Sequence, residues 1–284
     1  MDQAGTLRKL KKTPENAGTL SQHLKGIAVA SGKGGVGKTN IVANMAFVLA
    51  KKGRRVLVFD ADMGLGNIHI LLGLAPRFNV GHVLTGSKRL KDILVDGPSN
   101  IKILAASTGN KKYSEITTEE KMVLKSELEV LQKDFDYILF DIGAGISANV
   151  MFFCSAAQDV AVVASPEPTS FSDAYAVMKV LSRDYRVQGF KLIVNSVRDR
   201  KEAINVYQRL AMVADKFKLG IKIDFLGHIV FDTAVSSAVR RQRLFCEAFP
   251  KSEASKNIAG IVHTVEQTAS EGRINWGNVL GDAR

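Results

Sequence analysis

The segment "GKGGVGKT", Gly32–Thr39, places two lysines, four glycines and a threonine within eight residues. It matches G-x-x-x-x-G-K-[ST], the pattern of a loop that wraps a polyphosphate. Glycines let the backbone turn its N–H groups onto phosphate oxygens, so Gly32, Gly34, Gly35, Val36, Gly37 and the following Asn40 are expected nucleotide contacts. Lys38 is placed to neutralise the β and γ phosphates, and the Thr39 hydroxyl to ligate Mg2+. One lysine suffices for that task. Lys33, at the tip of the loop, is poorly placed to duplicate the Lys38 contact within one chain and could instead reach a second protomer.

Carboxylates and an amide follow at strand ends. "VFDADMGLGN" carries Asp60, Asp62 and Asn67; "DIGAG" carries Asp141 and Gly143; "KLIVNSVRD" carries Asn195. A carboxylate closing a buried strand is costly without a partner, and a phosphate-bound metal supplies one. Singly, each Asp would be read as a helix cap or surface residue; together beside a phosphate loop they read as a site. Asn195, on its own residues, reads as a strand-end turn residue.

Those side chains need a scaffold. Near-continuous apolar runs at 27–31, 56–60, 101–105, 137–141, 160–165, 191–196 and 225–230 predict strands buried on both faces. Helical spacing fills 38–52, 118–134, 146–157, 169–185, 200–217 and 232–246, and Ile258, Ile261, Val262 and Val265 predict a last packed helix. The order implies an α/β fold, a mostly parallel, doubly wound sheet covered by helices, with ligands at the carboxyl ends of the strands.

Composition sets the remaining bounds. The 284 residues fit one large α/β domain, and a net charge of +11 favours polyanionic surroundings without choosing among nucleotide, nucleic acid and anionic lipid. Two cysteines, Cys154 and Cys246, lie apart in apolar stretches, which indicates neither a disulfide framework nor a CxxC metal site and fits a reducing cytoplasm. The five histidines are scattered. The start has no apolar signal core, and no apolar run approaches the length of a membrane span, so a soluble chain is expected.

"KGGVGKT" resembles the deviant Walker A loop of the MinD/ParA family, the SIMIBI group of P-loop proteins. The resemblance implies that Lys33 is the signature lysine contacting phosphates of the facing subunit's ATP, so that ATP becomes a dimerisation switch. It implies further that Asp62, in switch I, positions the attacking water, that Asp60 and Asn67 support the metal and phosphate shell, that Asp141 holds Mg2+ through water, and that the Gly143 N–H senses the γ-phosphate. Thr39, Asp60 and Asp141 are thus the expected metal set; Lys33, Lys38 and Asp62 the expected catalytic set. Asn195 matches the family's adenine-reading asparagine, and residues 227–236 occupy the place of the loop that closes over the base. The expected cofactors are ATP or ADP with Mg2+.

The opening "MDQAGTLR" resembles the D-Q-A-x-x-L-R element of the FlhG group (also called YlxH or FleN), MinD-like ATPases that control flagellar number and position. There the element stimulates the SRP-type GTPase FlhF, so Asp2, Gln3, Leu7 and Arg8 are expected partner-binding residues; a flagellar C-ring or transcription-regulator partner is also implied. The expected organisation is an arm at 1–24, an ATPase domain at 25–271 and a tail at 272–284. In that tail Ile274, Trp276, Val279 and Leu280 could form a short apolar face against a membrane. The alternative is a ParA-like DNA-partitioning ATPase or another MinD-like spatial regulator, for which Arg240, Arg241 and Arg243 would bind DNA phosphates. An iron–sulfur carrier on the same fold would need clustered cysteines.

Overall fold

The computed structural model describes residues 24–106, 115–268 and 274. β1 (Lys25–Ser31) runs through the glycine-rich loop into α1 (Lys38–Lys51), then β2 (Val56–Asp60), α2 (Ile68–Leu71) and α3 (Val80–Leu84). β3 (Val95–Asp96), β4 (Lys102–Leu104), α4 (Thr118–Leu131), β5 (Tyr137–Ala144), α5 (Ala148–Ala156) and β6 (Asp159–Ala164) follow. The last third holds α6 (Pro168–Tyr185), β7 (Gly189–Val197), α7 (Arg200–Lys216), β8 (Lys222–Val230), α8 (Thr233–Arg240), α9 (Phe245–Ala248) and α10 (Glu253–Gln267).

The sheet has eight strands in the order β3-β4-β2-β5-β1-β6-β7-β8. Every neighbouring pair is parallel except the short β3 against β4. Because β5 lies between β1 and β2, the chain leaves β1 in one direction and later strands build out in the other, which opens a crevice at the carboxyl ends of β1, β5 and β2. Alternation within each strand feeds two apolar layers. Ala28, Ala30, Ile138 and Phe140 face the layer under α4 to α7, whereas Ile27, Val29, Tyr137 and Leu139 face α1 and α10. Burial on both faces is why these strands read as continuous apolar runs.

A ring cluster ties the crevice to the core. Phe153 on α5 meets Phe59 on β2 edge to face at 5.3 Å and Phe140 on β5 at 6.0 Å, all buried. Burying a phenylalanine contributes roughly 1.5–3 kcal/mol, so α5 is fixed behind the ends of the strands that carry the carboxylates.

The structure departs from expectation in places. The helix expected over 232–246 is two, α8 and α9, because Gln242 takes a left-handed φ of 51° and its Nε2 donates to the Ile70 carbonyl at 2.8 Å. The helix expected from 146 starts at Ala148, where the Ser147 hydroxyl accepts from the Val150 N–H. The pieces α2, α3 and β3 are too short to show a period. Of the tail's apolar face, Ile274 packs against the core beside Gly26, where a Cβ would stand 2.7 Å from its Cδ1, so it is not free to join a membrane-facing stripe. The arm's Asp2, Gln3, Leu7 and Arg8, and Trp276, Val279 and Leu280, lie outside the described residues. Among the described residues no helix is long and apolar enough to cross a membrane.

Candidate nucleotide site

A cleft of about 720 Å³ opens at the crevice. Its floor is the loop and first turn of α1: Gly34, Gly35, Gly37, Lys38, Thr39 and Asn40. The loop bends because Gly35 and Gly37 take φ of 78° and 92°, values that a side chain would strain. Gly37 is the N-cap of α1 and offers no side-chain cap, so the N–H groups of the first turn remain for an anion.

Above the floor stand Asp62 and Asn67 from the segment after β2, and Asp141 and Gly143 from β5. Asp141 is buried, its Oδ1 has no hydrogen-bond partner, and Thr39 bonds the carboxyl. Burial pushes the Asp141 carboxyl up to about 6, against the opposing pull of the Thr39 hydroxyl and the Lys38 ammonium. Lys38 Nζ donates to the Ser31 hydroxyl at 2.8 Å, and burial lowers its affinity for the proton while Asp141 and Asp62 support it. An orphaned carboxylate oxygen beside a threonine hydroxyl, below a buried ammonium, is the donor set that a phosphate-bound Mg2+ would satisfy.

Gly143 leaves room for the segment that follows β2. A Cβ on it would sit 3.3 Å from Asp62 Oδ1. The Asp62 carboxylate therefore stands directly over the β5 end, within reach of whatever lies between Lys38 and Gly143.

Five expected nucleotide residues lie off the cleft wall. Asp60 is fully buried; its Oδ1 accepts from the Asp62 N–H at 3.3 Å and its Oδ2 from the Ile68 N–H at 3.2 Å. Burial and the neighbouring Asp141 charge raise its pKa well above the carboxylate range. Its two oxygens thus fasten both ends of the 62–68 loop. Gly32 serves packing, because a Cβ there would lie 2.2 Å from the backbone of Asp173 on α6. Val36 is buried, and its carbonyl accepts from Asn195 Nδ2 at 2.7 Å, which sets Asn195 behind Gly37 with one amide hydrogen already used.

Lys33 is the fifth. Its ammonium pairs with the Glu167 carboxylate, ahead of α6, and reaches the Thr169 hydroxyl at 3.2 Å. Both lysines of the loop are thus held by the chain itself, Lys38 inward on Ser31 and Lys33 outward on α6. The sequence reading missed Leu65, Ile70, Ser147, Asn149 and Val239 on the cleft wall. Ser147 had a signal, as a cap residue four positions after the "DIG" strand end; Leu65 in a turn and Ile70 on the four-residue α2 had none, whereas Val239 falls within the helix expected over 232–246. The arginines proposed for DNA are engaged within the chain: Arg240 Nε donates to the Ser236 carbonyl at 3.3 Å, Arg241 lies 5.8 Å over the Phe249 ring, and Arg243 pairs with Glu247 at 3.4 Å.

Comparison with known proteins follows the same lines. Residues 27–245 match the model described as "CobQ/CobB/MinD/ParA nucleotide binding domain". Antiactivator FleN of Pseudomonas aeruginosa is 38% identical over 240 residues, covering 84% of this chain and 85% of FleN. Flagellum site-determining protein YlxH of Helicobacter pylori is 32% identical over 262 residues, covering 91% and 88%. Among solved structures, the cell-division ATPase MinD of Pyrococcus furiosus superposes with a TM-score of 0.71 at 23% identity, over 86% of this chain and 99% of that one, a likeness of fold. The MinD of Pyrococcus horikoshii, solved with Mg-ADP, gives 0.70 at 23% identity over 86% and 96%. With its phosphate loop, its orphaned strand-end carboxylate and this match across most of its length, the chain belongs to the CobQ/CobB/MinD/ParA nucleotide-binding domain family.

Proposed function

We propose that this protein is an ATP-dependent dimerisation switch that hydrolyses ATP slowly and regulates flagellar number and placement. The observation that carries the switch is the position of Lys33: its ammonium lies off the cleft that Lys38 serves, on the outer side of the loop. A second observation concerns the mouth of the cleft. Leu65, Ile70, Ile146 and Val239 are exposed large apolar side chains on or beside the switch segments, a set that a second copy would cover. The flagellar role is supported by similarity to the antiactivator FleN and the flagellum site-determining protein YlxH over more than four fifths of the chain's length.

Mg2+·ATP supplies a phosphoanhydride whose terminal phosphorus water can attack. Lys38 and the N–H groups of the loop would hold the phosphates, and Thr39 with Asp141 would hold the metal. Asp62 would orient the attacking water and accept its proton, and the Gly143 N–H would donate to the terminal phosphate. Lys33 leaves Glu167 and reaches the nucleotide of the partner subunit. The two subunits separate after hydrolysis, when the terminal phosphate no longer bridges them.

In the paired state the protein acts on an SRP-type GTPase of the FlhF kind through Asp2, Gln3, Leu7 and Arg8. It works in the cytoplasm, with peripheral contact at the inner face of the membrane and with C-ring or transcription-regulator partners. The test is GTP hydrolysis by FlhF with the intact protein and with residues 1–12 removed. Stimulation that disappears with the arm is the expected result; equal rates with and without the arm would contradict the role. The DNA-partitioning alternative rests on the net charge and on Arg240, Arg241 and Arg243, which are exposed and make contacts within the chain.

A further inference from the structure

We propose that the outward face of α4 is a docking surface for the chain's own basic N-terminal segment, residues 7–12. The docking rests on the surface of α4, on the residue types of that segment and on the point where the chain enters the fold. It does not depend on the flagellar reading.

The helix is buried along one side only. Leu124, Leu128 and Leu131 enter the core, whereas Met122, Val123 and Val130 are 55%, 38% and 57% exposed. Steps of three, four and seven residues align Glu119, Met122, Val123, Ser126 and Val130 on the outward face, so the three apolar side chains form a stripe. Its border is mostly acidic: Glu115, Glu119, Glu129 and Asp134 are exposed and enter no ion pair among the described residues, against the basic Lys125 and Lys133. The neighbouring carboxylates are already used. Glu127 pairs with Arg89 at 2.9 Å, and Glu120 Oε2 accepts from the Thr117 N–H at 2.8 Å.

The occupant follows from where the fold begins. The Lys25 N–H donates to the Asp136 carbonyl at 3.0 Å, and Leu24 packs against the apolar layer that holds the inner side of α4. Asp136 follows the last residue of α4 by five positions, so the chain enters the sheet at the foot of this helix. Upstream, residues 7–12 read "LRKLKK", two leucines and four basic side chains. That is the complement of an apolar stripe bordered by carboxylates. Lys12 stands twelve residues before Leu24; a coil of that length spans about 20 Å, and Met122 to Val130 spans about 12 Å along the helix. A tether this short gives an effective concentration on the order of millimolar, so a contact too weak to hold two molecules together suffices within one. Docking turns Leu7 and Arg8 toward α4, and the partner GTPase must then compete for them. This last consequence alone rests on the flagellar reading.

The test is disulfide trapping in the full chain. Burial pushes the native Cys154 and Cys246 thiols up to about 12, so introduced thiols react first. Leu10→Cys is combined with Val130→Cys, or with Met212→Cys on α7, a position 68% exposed and away from α4, and copper phenanthroline supplies the oxidant. The Val130 pair is expected to close within one chain at least about tenfold faster than the Met212 pair, as docking raises the local thiol concentration. Its rate should not change on dilution. Adding Glu119→Lys and Glu129→Lys, or about 1 M NaCl, where the screening length is about 3 Å, should slow it severalfold. Equal rates for the two pairs, a rate indifferent to the charge reversals, or disulfides that form only between chains would overturn the docking, whether or not the protein acts on a GTPase.

Discussion

Burial drives the Asp141 carboxyl up to about 6, and the same burial leaves one of its oxygens without a partner. The sign of the consequence follows from linkage. The folded protein binds this proton more tightly than the unfolded chain, so the penalty on the native state is present above pH 6 and fades as pH falls toward the unfolded value near 4. Asp141→Asn is therefore expected to stabilise the nucleotide-free protein by about 1–3 kcal/mol at pH 7.5, with the gain shrinking below pH 6. Denaturant titrations at pH 7.5 and 4.5 measure it. The same substitution should abolish Mg2+-dependent nucleotide binding, and in the wild type Mg·ATP affinity should fall as pH drops through 6. Lys33 shows the opposite economy. Its pair with Glu167 is exposed on both sides, and such pairs contribute about 0–1 kcal/mol, so little holds the ammonium back from a better anion. That Lys38, Thr39, Asp62 and Asp141 line one cleft was legible in the sequence, from the phosphate-loop pattern for the first two and from the family resemblance for the two carboxylates. The backbone bonds of Asp60 were not: Asp60 and Asp62 lie two positions apart, and only the fold shows that Asp60 fastens backbone N–H groups while Asp62 faces the cleft.

The elements explain how a few residues after a strand can carry a site. β5 ends in Asp141 to Ala144, and the chain passes through the Ser147 cap into α5, whose Phe153 locks onto Phe59 and Phe140. Rings from β2, β5 and α5 thus tie the two carboxylate-bearing strands to the helix behind them. Phe153→Ala should cost about 3–5 kcal/mol of stability and raise amide exchange along residues 143–150 beyond what a remote core truncation of equal cost produces. The buried strands and long helices were legible because both-face burial and a 3.6-residue period leave clear patterns. The break at Arg241–Leu244 was not, because nothing local signals it. It depends on a side-chain bond from Gln242 to the carbonyl of Ile70, 172 residues earlier in the chain. α2 and α3, at four and five residues, span little more than one 3.6-residue turn, too little for a period to repeat.

At the scale of the whole molecule, the cleft has one finished side and one open side. The finished side is the sheet end with its loop; the open side carries exposed Leu65, Ile70 and Ile146. A second copy seated there would exclude water from the phosphates, which strengthens the lysine contacts through the lower local dielectric. Lys33→Ala should then weaken association at least tenfold while Mg·ADP affinity of the single chain changes by less than about threefold, since breaking one charge-assisted contact in a dry interface exceeds one factor of ten. The measurement that reaches the claim most directly is the sedimentation of Asp62→Ala, expected to block hydrolysis, in saturating Mg·ATP. The account predicts a stable dimer that reverts to single chains in Mg·ADP and fails to form when Lys33→Ala is added. Single chains in Mg·ATP at tens of micromolar, or a dimer indifferent to Lys33, would contradict it.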